Sequence, residues 1–428
     1  MVTANGVSGN NGSSDRPSNV ARQRAAILFV NFLLIILAYY QVKSASRSLL
    51  IEHWGSDRFP YVWIASALIL GLFIGFYHRL VERYRRLRIV LGSCLLFIIL
   101  LIVFRVMLES MGAAASIGFY IFVDILSVVL VEQFWSLANT TNDAENGRRS
   151  YWFVATGGLV GGVLGGILAA ALLHYTPMTT PDLLLSCAAL LAVVFGLNMV
   201  MGRMGLYEEK TGTGPSVRMA EGWRALVRSR YLLLIAAALL CAQLAEPLVE
   251  YQFLKAVEAA YSELDKRTIF ISGFFSVLGM VSIGINLVIT PLVHRFFGFM
   301  AGLLAQPVVV AICSLSFAAV PSLLMASVMK IGDRGLSYSI NRASKEQLYI
   351  PIDPVRTYQA KAWIDMLGYR LFKILGSALI LLFTQWPPLG LEVSQLSWIT
   401  ITVCAAWITV IGLLAREYRS VVPVSLPV

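Results

Sequence analysis

The residues that could do chemistry in this chain are ionisable side chains set inside or beside apolar runs. Between Lys330 and Lys373 the sequence holds Lys330, Asp333, Arg334, Arg342, Lys345, Lys361, Asp365, Arg370 and Lys373, flanked on both sides by long hydrophobic stretches. Charge at membrane depth is costly, so it normally faces a water-filled path and marks function. Lys330, Arg334, Ser337 and Asn341 follow the spacing i, i+4, i+7, i+11, one polar stripe down a helix. Lys43 and Arg47 stand one turn apart and share a face with Tyr40. An excess of cations suits a multiply anionic ligand, because guanidinium forks and ammonium groups both bind phosphate. Among the acids, Glu132 adjoins Gln133, and Glu246 and Glu250 lie one turn apart around Pro247. Two carboxylates on one face repel unless a cation or a proton sits between them. Glu132 and Glu250 read equally as partners of structural ion pairs or as ligand sensors. The two readings merge if an ion pair of the empty state is exchanged for phosphate contacts. Arg105 and Glu109, an i,i+4 pair near a helix end, read as structural. Tyr40 and Tyr251 adjoin the charges and could stack on a planar base.

The elements that position these groups follow from composition. The chain has 428 residues, 58% hydrophobic and 14% charged, with a mean hydropathy of +0.74. A soluble domain carries roughly a quarter charged residues, so this is a polytopic membrane protein. Its net charge of +10 sits mainly in short loops, as membrane topology requires, and does not point to nucleic acid. A span needs about 20 apolar residues. By that measure twelve spans are expected, at about 25–50, 60–78, 88–108, 117–139, 150–174, 182–202, 231–256, 268–291, 299–319, 321–342, 358–384 and 395–415. The first, seventh, tenth and eleventh are the ones that carry charge. The expected plan is a disordered tail at 1–24, a six-helix bundle at 25–202, a cytoplasmic linker at 203–230, a second six-helix bundle at 231–415 and a tail at 416–428. Lys and Arg fall overwhelmingly on one side, the other holding only Arg58, Lys255, Lys266 and Arg267 in its loops. That asymmetry puts both termini in the cytoplasm of a multi-pass inner-membrane protein.

The halves carry a faint repeat. Tyr40-Gln41 matches Tyr251-Gln252, Gly157 matches Gly368, and His78-Arg79 matches His294-Arg295, at nearly constant offset. Two bundles related by duplication are the plan of major facilitator transporters. The doubled glycines Gly157-Gly158, Gly161-Gly162 and Gly165-Gly166 recur every four residues, a spacing that lets helix backbones approach closely. A phosphate-cradling loop would need a preceding strand, and none is plausible there. No G-x-x-x-x-G-K-[ST] occurs. The histidines His53, His78, His174 and His294 show no zinc-ligand spacing, and the five cysteines form no CxxC. No cofactor, metal or catalytic set is expected, and the reading is transporter rather than enzyme.

Several stretches resemble the nucleotide exchange transporters, the ATP/ADP translocases of plastids and intracellular bacteria and their bacterial relatives. Lys43 to Arg47 resembles the family's basic stretch in the first span, with Ser48 where an acid is usual. Glu132-Gln133-Phe134-Trp135 through Ala138-Asn139 resembles its fourth-span segment, and Arg148-Arg149-Ser150-Tyr151 its entry to the fifth. Glu250-Tyr251-Gln252-Phe253-Leu254-Lys255 is similar to its D/E-Y-Q-F-K run. The fullest match is Lys345-Glu346 through Tyr349-Ile350-Pro351-Ile352, with Gln359-Ala360-Lys361-Ala362-Trp363-Ile364-Asp365 after it, where Gln359 replaces the first lysine of K-x-K-A. The resemblance implies a twelve-helix secondary transporter exchanging nucleotides or another phosphorylated anion, monomeric among membrane lipids. It implies roles for Lys43 or Arg47, Glu132, Glu250, and Lys345 or Lys361. With the stripe, the expected substrate-binding set is Lys43, Arg47, Glu132, Glu250, Lys330, Arg334, Asn341, Lys345 and Lys361. A non-nucleotide transporter or lipid flippase on the same fold remains an alternative, and a polytopic membrane enzyme a third.

Overall fold

The computed structural model describes the backbone of residues 19–141, 144–205, 223–224, 226–353, 360–361, 363–386 and 389–421. Within these, the side chains of 19–21, 74–83, 140–150 and 365–366 are outside the described set. The expected tail at 1–24 therefore lies mostly outside the described residues. So do most of the linker at 203–230 and the side chains of Arg148, Arg149 and Asp365.

Lipid offers the backbone no hydrogen-bond partner, so a spanning segment must satisfy its own N–H and C=O groups as helix. The described residues contain helices and no strand. In chain order we label them α1 (Asn19–Trp54), α2 (Phe59–Arg83), α3 (Arg86–Thr141), α4 (Ala144–Tyr175), α5 (Leu183–Arg203), α6 (Arg230–Ala260), α7 (Leu264–Gly284), α8 (Thr290–Ala319), α9 (Leu323–Leu336), α10 (Arg342–Leu348), α11 (Tyr369–Gln385) and α12 (Leu396–Val421). Short π-helical turns at Ile285–Ile289, Ser337–Asn341 and Ile364–Gly368 join α7 to α8, join α9 to α10 and lead into α11. The chain is a multi-pass membrane protein. Seven described stretches are long and apolar enough to cross a bilayer.

Two expected loops are reduced to tight breaks. The third and fourth spans both lie in α3, whose helix is broken at Met111 (φ −128°, ψ 28°). The chain turns back there: Ser93 donates to Gln133 at 2.6 Å and the rings of Phe104 and Phe119 lie 5.8 Å apart, contacts that a continuous helix rising 1.5 Å per residue would forbid. The eighth and ninth spans are likewise separate helices, divided after the π turn at Gly298, whose φ of 77° favours glycine. The second, tenth and eleventh spans are not among the seven stretches.

Helices α1–α5 and α6–α12 pack in a repeating way. Helix α1 packs on α4 and α5, and α6 packs correspondingly on α11 and α12. Across the two sets, α4 packs on α7 while α11 packs on α2. The glycine stripe explains the first of these contacts. A Cβ on Gly157 or Gly165 would lie 2.6 Å from the carbonyl oxygens of Phe29 and Leu37, and one on Gly161 would meet Leu33. The other face of the stripe, at Gly166, abuts Ser272 and Ser276 of α7. Helix α4 thus lies backbone-close to a helix of each set.

Three apolar cores result. One is built almost wholly from α1, α3, α4 and α5, around Phe32, Phe119, Phe134 and Leu191. A second lies almost wholly within α6–α12, around Leu239, Leu303 and Trp407. The third is shared, and joins Leu50, Phe59, Trp63 and Tyr120 to Phe253, Leu254, Ile271 and Phe274. Polar clasps flank the shared core. Arg267, 4% exposed, meets Glu52 at 3.0 Å and also donates to the carbonyl oxygens of Ser48, Tyr261 and Ser262. Asp57 accepts from Lys255 at 2.8 Å and from the Tyr251 hydroxyl at 2.6 Å. Asp265 accepts from the hydroxyl of Thr180 at 2.6 Å. Each clasp joins one set to the other at the carboxyl-terminal end of α1. Tyr251, expected beside the ligand, is thus engaged in a clasp.

Candidate functional site

A cavity opens where the two sets meet. It is lined by Lys43 and Arg47 of α1, Trp63 of α2, Tyr120 and Asp124 of α3, and Glu246, Pro247 and Glu250 of α6. Phe275 and Leu278 of α7, Lys330 and Arg334 of α9, Tyr338 of the adjoining π turn and Lys373 of α11 complete it. Residues far apart in sequence converge because α1, α6, α9 and α11 carry their charges at comparable depth.

Glu250 is the hub. Its carboxylate meets Arg47 Nε at 3.0 Å and Lys330 Nζ at 2.5 Å. One acid of α6 thus ties α1 of the first set to α9 of the second. Lys330 is 1% exposed, and Asp333 lies 3.9 Å behind it. Gln306 donates to Asp333 Oδ1 at 3.0 Å and accepts from Asn341 at 2.5 Å. Arg334 pairs with Glu246, and its guanidinium carbon lies 5.8 Å from the Tyr338 ring. The two carboxylates around Pro247 are therefore kept apart by separate cations, as their mutual repulsion demands. Breaking a buried pair by removing one partner costs about 3–5 kcal/mol, far more than a surface pair.

Two lining cations differ. Lys43 Nζ lies 4.2 Å from the centre of the Phe275 ring and 4.6 Å from that of Tyr40. Neither Lys43 nor Lys373 has a carboxylate within ion-pair distance among the described residues. These are the cations that no acid of the cavity neutralises.

Of the expected substrate-binding residues, the structure gathers Lys43, Arg47, Glu250, Lys330 and Arg334 around the cavity. Asn341 lies apart, and the helical-stripe reading fails there for a defined reason. The π turn at Ser337–Asn341 inserts an extra residue per turn, which rotates the helix beyond it by roughly 100°. Tyr338 therefore continues the stripe, and Asn341 turns to Gln306. Glu132 is exposed on α3 and does not line the cavity. Lys345 donates to the Tyr369 hydroxyl at 2.8 Å, and Lys361 meets Glu346 at 2.7 Å, both outside the lining. Arg105, read as structural, meets Glu109 at 2.5 Å and Asp182 at 2.8 Å. Asp124, Glu246 and Lys373 line the cavity without belonging to the expected set. For Asp124 the available signal was a lone carboxylate inside an apolar run.

The sequence model of the TLC ATP/ADP transporter family matches residues 107–331 and 322–418. An "ADP,ATP carrier protein 1" of Chlamydia muridarum is 27% identical over 183 residues, 38% of this chain and 35% of that protein. An "ADP,ATP carrier protein 4" of Rickettsia conorii is 26% identical over 230 residues, 48% of this chain and 45% of that protein. These matches span less than half the length of either relative. Among solved structures, a bacterial homologue of the iron transporter ferroportin in an inward-facing state superposes with a TM-score of 0.67 at 14% identity, over 92% of this chain and 99% of that one. An inward-facing, unoccupied bacterial homologue of the lysosomal transporter Spinster gives 0.64 at 11% identity, over 96% and 100%. At such identities the likeness shows the fold, the all-α polytopic fold of major facilitator type.

Proposed function

The chain belongs to the TLC ATP/ADP transporter family, and on that premise we propose that it exchanges nucleotides, or a similar phosphorylated anion, by alternating access. The observation that carries this reading is the cavity itself. It lies between the two helix sets, and five basic side chains face it against three carboxylates. Lys43 of α1 and Lys373 of α11 would take the phosphates first, because neither is held in a direct ion pair. Arg47 and Lys330, bridged by Glu250, hold the sets together in the empty state, and an arriving polyanion draws on the same cations. The two bundles, 25–202 and 231–415, would rock about this point, with both termini in the cytoplasm as the Lys and Arg distribution favours. Glu132, Asn341, Lys345 and Lys361 would act at one remove, on the approach to the cavity or on the helices that carry it. Relatives bearing the ADP,ATP carrier name support the nucleotide substrate.

The test is uptake of labelled ATP or ADP into proteoliposomes, with and without nucleotide inside. Uptake that requires internal nucleotide is the expected result. No uptake across a nucleotide panel would sink the named substrate and leave the fold standing.

A further inference from the structure

One lining group is of the wrong sign for a phosphate site. Asp124 of α3 faces the cavity, yet no cation lies within ion-pair distance of it among the described residues. Its Oδ2 accepts from the Ser66 hydroxyl of α2 at 2.6 Å. One turn away on the same face, Tyr120 accepts from Trp63 Nε1 at 2.8 Å. These two rungs fix α2 to α3 and hold Asp124 beside two aromatic side chains. Phe59 packs edge-on to Tyr120 with ring centres 5.6 Å apart and backs the wall. The second carboxylate oxygen is left as a hydrogen-bond acceptor on an aromatic wall, in a cavity whose other polar groups are mostly donors.

A bare phosphate has no use for that acceptor, and a carboxylate near an oxyanion repels it. A ligand that uses both the cations and this acceptor carries phosphates and a flat ring with an N–H. We propose that Asp124 is a specificity-determining residue. It accepts a hydrogen bond from the exocyclic amine of the substrate's base, with Trp63 and Tyr120 beside the ring. This rests on the nucleotide reading above and narrows it to aminated bases, of which adenine is the one tested. A site built to bond a donor rejects the analogue that lacks it, because the acceptor is then left unpaired.

The test compares ATP with purine riboside triphosphate, which differs only by hydrogen in place of the amine. Both compete against labelled ATP in proteoliposomes, for the wild type and for Asp124→Ala and Asp124→Asn. The wild type should favour ATP by roughly 10- to 100-fold, the scale of one hydrogen bond to a charged group. Asp124→Ala should weaken ATP far more than the analogue, so that the two inhibit alike, and residual uptake of labelled ATP reports a folded carrier. If the alanine variant does not fold, Asp124→Asn keeps an acceptor but loses its charge, and the preference should shrink to a few-fold. Equal inhibition of the wild type by both compounds would overturn the assignment while leaving nucleotide exchange intact. So would an equal loss for both in the variants. Failure of the wild type to take up any nucleotide would overturn both readings.

Discussion

Glu250 accepts from an arginine of one helix set and a lysine of the other, so its charge matters more than its size. Glu250→Gln keeps the shape, leaves Arg47 without its carboxylate and leaves Lys330 with only Asp333, 3.9 Å away. We expect a stability loss of about 3–5 kcal/mol and no detectable exchange. Thermal unfolding in detergent and proteoliposome uptake would measure the two effects. Most of this centre was legible in the sequence. Lys43, Arg47, Glu250, Lys330 and Arg334 announce themselves as charges in apolar surroundings. Asp124 did not stand out, because its partner is the neutral Ser66, 58 residues away along the chain and invisible without packing. Residue type told which groups are expensive to bury, and not which of them share a cavity.

Among the elements, α4 is the one whose sequence most fully prescribes its packing. Its glycines admit the α1 backbone, and a Cβ at Gly157 would fall 2.6 Å from a carbonyl oxygen. Gly157→Val should therefore force α4 off α1. A loss of about 1–3 kcal/mol or more is expected, with a matching fall in melting temperature. Gly196 of α5, with nothing within 4 Å of the added atom, should tolerate alanine at no such cost. The π turn at Ser337–Asn341 marks the opposite case. Its residues have ordinary helical character, so nothing in their pattern foretold the extra residue per turn that swings Asn341 to Gln306. The span boundaries near Met111 and Gly298 were legible, since hydropathy thins where the helix breaks and the backbone turns back.

Across the whole molecule, the clasps around Arg267, Asp57 and Asp265 hold the two sets together at one end. Arg267→Gln removes four charge-assisted contacts at once and should shift the population toward the state open at that end. A single cysteine at Leu278, which lines the cavity, should then react faster with a membrane-impermeant thiol reagent applied from outside. Acid alone should not do this. Burial pushes the Asp57 carboxyl up, but the hydrogen bonds from Lys255 and Tyr251 outweigh it and hold the group below its usual range. A carboxylate so depressed contributes stability above its ordinary value near 3.9 and loses it only as pH falls through the lower one. Relative to an exposed reference cysteine, whose labelling falls with its thiolate fraction, labelling should thus be unchanged between about pH 7 and pH 5, where ordinary carboxylates remain ionised.

The imbalance of charge around the cavity has an electrical consequence. Five basic side chains face three carboxylates, so the unloaded carrier holds uncompensated positive charge within the field of the bilayer. That field weighs on every such charge by about 2.3 kcal/mol per 100 mV. On the exchange reading, a nucleotide carrying more negative charge than that excess would reverse its sign rather than cancel it. The empty and loaded forms would then carry opposite net charge at the site, and voltage would act on their reorientation in opposite senses.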